Sequence, residues 1–420
     1  MKAVRFTILC AGLALSAVAC GSSGDGGDKD PATESKQVEI FSWWVAPGEA
    51  EALQALVDVN KTQHPGDRVF NAAIASGNQA REKLAERLAA GDPPDLFQQN
   101  AHDIPAFLDK NPNSLQSLDS LFAAQGLDTA VTPDVLEHVT YDGKIYAMPV
   151  NIHRENALFY NKQIFSDHHL NPPTTLAEFL TVCEALKADG VTPIATSYQG
   201  WILRIFFNSL AMGSMGAEAY HDFMSGGTRD DAALNTAIDL FSDVLDNYIN
   251  EDAGNADFGW TNAAEAVFDG KAAMFLHGDW AKGYYVQLGW TPGIDFGVLG
   301  APGASNLFWY GVDTFSLPVG APNPAGANDF LATIGSLEGQ VAFNRLKGST
   351  PVRPDVPRAQ LDSEGRVTLD EFQNAAYRMA VVNKDSWDTA LLEFATTRDK
   401  KALFQAYVDN PPVDAAAAGR

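Results

Sequence analysis

The chain has 420 residues, 46% of them hydrophobic and 20% charged, with a formal net charge of −24. That length suits about two domains rather than one core, and the composition is that of an ordinary soluble globular protein. The acid excess disfavours nucleic acid and anionic lipid headgroups as partners and leaves a neutral ligand unpenalised.

In chain order, Lys2 and Arg5 precede an apolar run from Phe6 to Ala19, which is too short to span a bilayer. Cys20 follows Ala17-Val18-Ala19 directly, and Gly21 to Asp30 is a Gly/Ser/Asp-rich tether. This is the pattern of an exported protein cleaved after residue 19 and lipidated at Cys20, with an ordinary secretory signal as the alternative reading. Ala17 departs from the Leu usual in such signals. The expectation is a protein of the periplasm or cell envelope that touches the membrane only through its N-terminal lipid. Of the three cysteines, Cys10 leaves with the leader and Cys20 carries the lipid. Cys183 then stands alone on an apolar helix face and reads as core.

Val38 to Trp44 has strand character, and Pro47-Gly48 turns the chain into a helix over 49–60 with Ala52, Leu53, Leu56 and Val57 on one face. A strand over 68–74, a helix over 78–90 stopped by Gly91, and a strand over 95–98 complete a β-α-β-α-β run, the signature of parallel strands. Asp142-Gly143 predicts a hairpin, and 151–159 a strand. Thr175 with Glu178 forms a capping box for the next helix. Gln199-Gly200-Trp201 reads as a loop. Helices are expected over 234–249, 261–268, 327–346 and 369–382, with a strand over 271–276.

Tryptophans gather at predicted strand ends, helix starts and a loop: Trp43-Trp44 and Trp280 at strand ends, Trp260 before a helix, and Trp201 in the 199–201 loop. In α/β sheets that is where ligands bind. A flat indole suits the C–H face of a pyranose, and polar side chains suit its hydroxyl rim. One such tryptophan is more often core packing. Here they occur with Glu49, Gln98, His153, Gln199, Asp279, Asp313 and Lys347, all at predicted loops.

The stretches Phe41 to Trp44 with Glu49, Met148 to Arg154, Phe275 to Lys282 and Leu346 to Arg353 resemble the periplasmic solute-binding proteins of ATP-driven sugar importers, extracellular solute-binding family 1, and within it the glucose/mannose-binding branch. The resemblance runs from about Val38 to Val413. It implies an α/β, periplasmic-binding-protein type II fold: two lobes, hinge crossings and a ligand cleft between them. The implied lobes are 38–149 with 314–350, and 150–313 with 351–413, behind a signal peptide at 1–19 and a tether at 20–37, with a disordered tail at 414–420. The crossings fall near 149–154, 308–314 and 349–353. The implied ligand-binding residues are Trp43, Trp44, Glu49, Gln98, Asn100, His153, Gln199, Trp201, Trp260, Asp279, Asp313 and Lys347. Two positions depart from the branch: Asn100 stands where glucose binders carry Lys, and Gly311 where they carry Asn.

The function implied is capture of a neutral mono- or short oligosaccharide by a monomer and its delivery to the permease subunits of an ABC transporter, with no catalysis, cofactor or metal. Two rivals stand beside it. A sensor subunit would use the same cleft for signalling. An exported glycoside hydrolase would need two carboxyl groups, one with a raised pKa, for which Glu49, Asp279 and Asp313 are the candidates. The sequence has no Gly-rich phosphate loop, Gly-x-Ser-x-Gly elbow or His-Glu-x-x-His motif. His168-His169 reads as a solvated pair.

Overall fold

Backbone pairing outweighs local propensity in deciding where this chain becomes strand. In the computed structural model, which describes residues 36–304, 306–382 and 384–412, strand Lys36–Phe41 runs parallel to both Asp67–Asn71 and Leu96–Asn100. It begins at Lys36 because Lys36 and Gln37 pair with Asp67 and Arg68, two residues before the expected start. The expected leader, Cys20 and the tail at 414–420 lie outside the described residues.

Two mixed sheets organise the molecule. The first has the order Asp67–Asn71, Lys36–Phe41, Leu96–Asn100, Asp313–Ser316, Met148–Pro149, with its last two strands joined antiparallel. The second has the order Phe296–Gly300, Ala157–Asn161, Ala272–His277, Thr192–Ala195. Ala272–His277 is buried at every residue, as a central strand covered on both faces must be. Helices Glu49–Gln63, Pro324–Gly335 and Leu337–Lys347 pack on the first sheet, and Gly200–Met215, Trp260–Phe268 and Asp385–Thr397 belong to the second.

Each sheet has its own apolar core. One gathers Val38, Ile40, Leu56, Phe97, Phe315 and Phe343; the other gathers Leu158, Phe179, Cys183, Phe241, Trp387 and Tyr407. Strand Leu307–Gly311 feeds both. Its period of two sends Leu307 and Trp309 to the second core and Phe308 and Tyr310 to the first. It pairs antiparallel with His153–Arg154, and Ile152 in turn exchanges backbone hydrogen bonds with Thr350 at 2.8 and 2.9 Å. Three segments that join the cores are thus held side by side.

Local signals behave as read at several points. The turn at Asp142-Gly143 has positive φ at both residues (47° and 71°), as a tight hairpin demands. Thr175 caps helix Leu176–Ala188 reciprocally with Glu178, and Cys183 is fully buried on that helix. Elsewhere tertiary partners win. The expected helix over 369–382 is instead helix Ser363–Asn374 followed by strand Tyr377–Ala380, because residues 377–380 pair in parallel with 307–310. The expected helix over 327–346 is broken at Ser336, whose hydroxyl accepts from the Gly339 N–H at 3.0 Å and starts a new helix. The expected strand over 151–159 is interrupted between Arg154 and Ala157. Trp201 lies not in a loop but in the first turn of helix Gly200–Met215.

Helix Trp280–Gln287 meets the C-terminus of helix Leu337–Lys347 backbone to backbone. A Cβ at Gly283 would lie 2.4 Å from the Leu346 carbonyl oxygen and 2.7 Å from that of Lys347, and one at Gly48 would lie 2.7 Å from the Gly283 carbonyl carbon. Gly283→Ala is therefore expected to cost about 1–3 kcal/mol through forced backbone displacement. Thermal melting checks this, and an unchanged melting temperature contradicts the close packing.

Candidate functional site

The segments that join the two cores also bring the charged residues together. Asp313 starts its strand directly opposite Asn100. Its carboxylate accepts from Asn100 Nδ2 at 3.2 Å, Asn151 Nδ2 at 3.3 Å and Gln98 Nε2 at 3.5 Å, and it sits 3.0 Å from His153 Nε2. The other ring nitrogen of His153 makes a short contact with Asp279, which follows the 272–277 strand. Asp279 also accepts from the Arg154 backbone N–H at 2.9 Å. His153, Asp279 and Asp313 are all at least nine-tenths buried. One imidazole thus links carboxylates carried by the two sheets.

The electrostatics follow from that placement. Burial opposes a charge on His153 most strongly, and Lys347 adds repulsion. The pull of Asp279, with hydrogen bonds to both carboxylates, outweighs them and pushes the pKa up to about 9. Burial would raise Asp313, but its bond to His153 holds it below the ordinary carboxylate range. The ring is an imidazolium between two carboxylates at neutral pH. Lys347, buried at the end of helix 337–347, donates to Glu49 at 2.8 Å, so this ion pair is also internal.

The aromatic residues have a common logic. Trp201, Trp260 and Trp280 each stand in the first turn of a helix at the C-terminal edge of the second sheet. Trp280 lies edge-on to His153, with ring centroids 5.1 Å apart, and 6.1 Å from Trp201. Trp260 packs on Tyr284 at 5.1 Å. Gln199, which precedes helix 200–215, approaches Gly259 beside Trp260. On the first sheet, Trp43 is half-buried, its backbone N–H donating to Gln98 Oε1 at 3.1 Å, with the Arg81 guanidinium 4.8 Å over its ring. Arg81 also donates to Asn100 at 2.8 Å.

Trp44 takes a different place from the one expected. It is 1% exposed and packs against Phe315 and Phe343 in the first core, at 5.6 and 5.0 Å. Adjacent residues leaving a strand project to opposite sides, so one of the pair had to point inward. The other named residues fall into three groups that adjoin: Asp313 with Gln98, Asn100, His153 and Asp279; Glu49 with Lys347; and the indoles with Gln199. Sequence reasoning missed Asn151 and Arg81 as polar partners. Asn151 lies in the quoted 148–154 stretch, and Arg81 one turn into a helix that follows a strand.

Glu155 was also missed. It is half-buried beside Gly311, where an added Cβ would lie 2.8 Å from its Oε1. Burial raises its pKa to about 7, against the pull of Arg204 and His153. Of the carboxyl groups proposed for hydrolysis, Asp313 is held below the ordinary carboxylate range and so is not the raised acid that reaction needs, and Glu49 is engaged by Lys347.

Unfolded, His153 titrates near 6.5; folded, near 9. Its contribution to stability is complete below pH 6.5 and is lost as pH rises through 9. Glu155, raised from 4.5 to about 7, acts in the same direction over a lower window. The melting temperature is expected to fall between pH 6.5 and 9, and His153→Gln is expected to lower overall stability while removing that upper slope. An upper slope unchanged in the variant contradicts the assignment.

Comparison with known proteins agrees with this architecture. The family model for bacterial extracellular solute-binding proteins matches residues 46–341. An uncharacterised ABC transporter extracellular-binding protein of Pyrococcus horikoshii is 31% identical over 385 residues, 89% of this chain and 85% of that protein. A probable sugar-binding periplasmic protein of Brucella melitensis is 29% identical over 347 residues, 82% of this chain and 81% of that one. Among solved structures, a chitin oligosaccharide binding protein superposes with a TM-score of 0.76 over 92% of this chain and 100% of its own, at 22% identity.

Proposed function

The chain belongs to the bacterial extracellular solute-binding proteins and has the type II periplasmic-binding fold; from that premise we propose that it captures a neutral sugar and hands it, unaltered, to the permease of an ABC transporter. The single observation that carries the reading is the buried imidazolium between Asp279 and Asp313, set beside three helix-start indoles. Asp279, which accepts from His153 and from the Arg154 backbone N–H, keeps lone pairs for hydroxyl groups, and each such charge-assisted bond is worth about 1.5–3 kcal/mol. Indole faces supply the apolar complement to a sugar ring.

The ligand is neutral. Lys347 and His153 offset most of the charge of Glu49, Asp279 and Asp313, so the site leaves no strong net charge for an ionic solute. A glucose- or mannose-like monosaccharide or a short oligosaccharide fits this chemistry. Trp43, Glu49, Gln98, Asn100, Asp313 and Lys347 serve as contacts from the first lobe. Gln199, Trp201, Trp260 and Asp279 serve from the second, with His153 between them. Trp44 supports the first lobe from its core.

The lobes, 38–149 with 314–350 and 150–313 with 351–413, turn about the three adjacent crossings. Sugar bridges both, and the closed state is favoured because only it makes both sets of contacts. The protein works as a monomer outside the cytoplasm, held near its importer by a lipid on Cys20. A hydrolytic reading would need one raised carboxylic acid, and Glu155, pushed up to about 7 chiefly by burial, is the group with that property. Release of reducing sugar from oligosaccharides would establish it; recovery of intact sugar removes it.

A calorimetric and thermal-shift panel of neutral mono- and disaccharides tests the proposal. A true ligand at one hundred times its Kd stabilises the folded state by about 2.7 kcal/mol. Asp279→Asn and Trp260→Ala are expected to weaken binding about 10- to 100-fold in a folded protein. Unchanged affinity in both removes the proposed site. Solution scattering is expected to give a smaller radius of gyration at saturating sugar; no contraction contradicts lobe closure.

A further inference from the structure

A second set of buried polar groups lies beside the ion bridge and takes no part in it. Strands Thr192–Ala195 and Ala272–His277 run parallel, with Phe275 opposite Ala195. Carried two residues further, that register puts Ser197, just past the end of its strand, level with His277, the last residue of the other. Both residues are 0% exposed. Neither ring nitrogen of His277 has a hydrogen-bond partner, nor do the hydroxyls of Ser197 and Thr196.

Aromatic rings surround His277. It stacks with Phe275 at 4.4 Å and with Trp260 at 5.6 Å, both within 20° of parallel, while Trp201 lies 5.3 Å and Trp280 4.8 Å away. Burial, with lesser repulsion from Lys347 and His153, holds its pKa well below the usual imidazole value. The ring is therefore neutral, with one nitrogen to donate and one to accept.

A buried donor or acceptor left without a partner costs about 1–3 kcal/mol. Three such residues at adjoining strand ends call for an explanation beyond stability, because Phe and Ala would fill the same space at no such cost. They stand at the carboxyl edge of the sheet, where α/β folds bind ligands, and under the indoles already placed in the sugar site.

We propose that His277 and Ser197 are the specificity-determining floor of an aromatic pocket walled by Trp201, Trp260 and Trp280, where they read adjacent hydroxyls on one edge of a neutral pyranose. This rests on the sugar-binding reading above. The imidazole donates to one hydroxyl and accepts from its neighbour, and the Ser197 hydroxyl completes the set. A sugar lacking either hydroxyl leaves a buried group unpaired, which is the strongest form of rejection a binding site has.

The test uses the full-length protein, calorimetric titration with D-glucose, D-mannose, D-galactose and maltose, and thermal melting without sugar. The tightest of the four is then compared with its 2-, 3-, 4- and 6-deoxy analogues. His277→Phe keeps the stacked ring and removes both nitrogens. It is expected to weaken binding about tenfold or more, to melt at or above the wild-type temperature when sugar-free, and to bind one deoxy analogue as well as the parent sugar. Ser197→Ala, the smaller change, is expected to act in the same direction and carries the test if His277→Phe folds poorly. Affinity within twofold of wild type in both variants overturns the proposal. So does a lower melting temperature in both with affinity intact, the mark of a purely structural pair. If the wild type binds none of the four sugars, the underlying sugar reading falls and this floor with it. If the wild type binds and the variants bind equally, only the floor falls.

Discussion

The structure depends on one buried charge. His153 sits on a segment between the two cores and contacts Asp279 at the edge of one sheet and Asp313 at the start of a strand in the other. Burying three ionised groups is expensive, and such a cluster persists only when geometry and further hydrogen bonds satisfy it. Here Gln98, Asn100 and Asn151 supply donors to Asp313, and the Arg154 backbone supplies one to Asp279. Removing any one member strands the rest. The arrangement is a poor source of net stability and a good source of definition: it fixes where two carboxylates lie relative to each other across two separately packed halves.

The fold is arranged to make that possible. Strand 307–311 contributes alternate side chains to both cores, so neither can shift without moving it. It pairs with His153–Arg154 and, through Tyr377–Ala380, with the chain that returns to the second core. Close to this seam, Gly48 and Gly283 let backbones approach to distances no side chain would permit, which sets Lys347 against Glu49. Two separately packed cores, adjoining crossings and charged groups at the junction are what the proposed closure on a ligand draws on.

Much of this was legible in the sequence wherever a local rule had a strong physical cause. Asp142-Gly143 had to turn because both residues tolerate positive φ. Thr175 and Glu178 had to cap because each satisfies the other's backbone. Cys183 was core because its neighbours at helical spacing are apolar. The tryptophans Trp201, Trp260 and Trp280 and the nearby Asp279 fall together at the C-terminal edge of the second sheet. What the sequence did not disclose was partner choice. Residues 377–380 look helical until strand 307–311 lies beside them, and Trp43 and Trp44 look equivalent until one is seen under Phe315 and Phe343. His277 gave no signal at all, because an unpaired buried nitrogen is a property of surroundings and not of spacing.

The most direct measurement is a crystal structure of the protein with its tightest-binding neutral sugar. The account predicts hydroxyl oxygens within hydrogen-bonding distance of both Asp279 and Asp313, and an indole of Trp260 or Trp280 against the ring. Sugar lodged elsewhere, for instance in the surface groove lined by Pro133, Leu369 and Phe372, with the imidazolium bridge untouched, would contradict it.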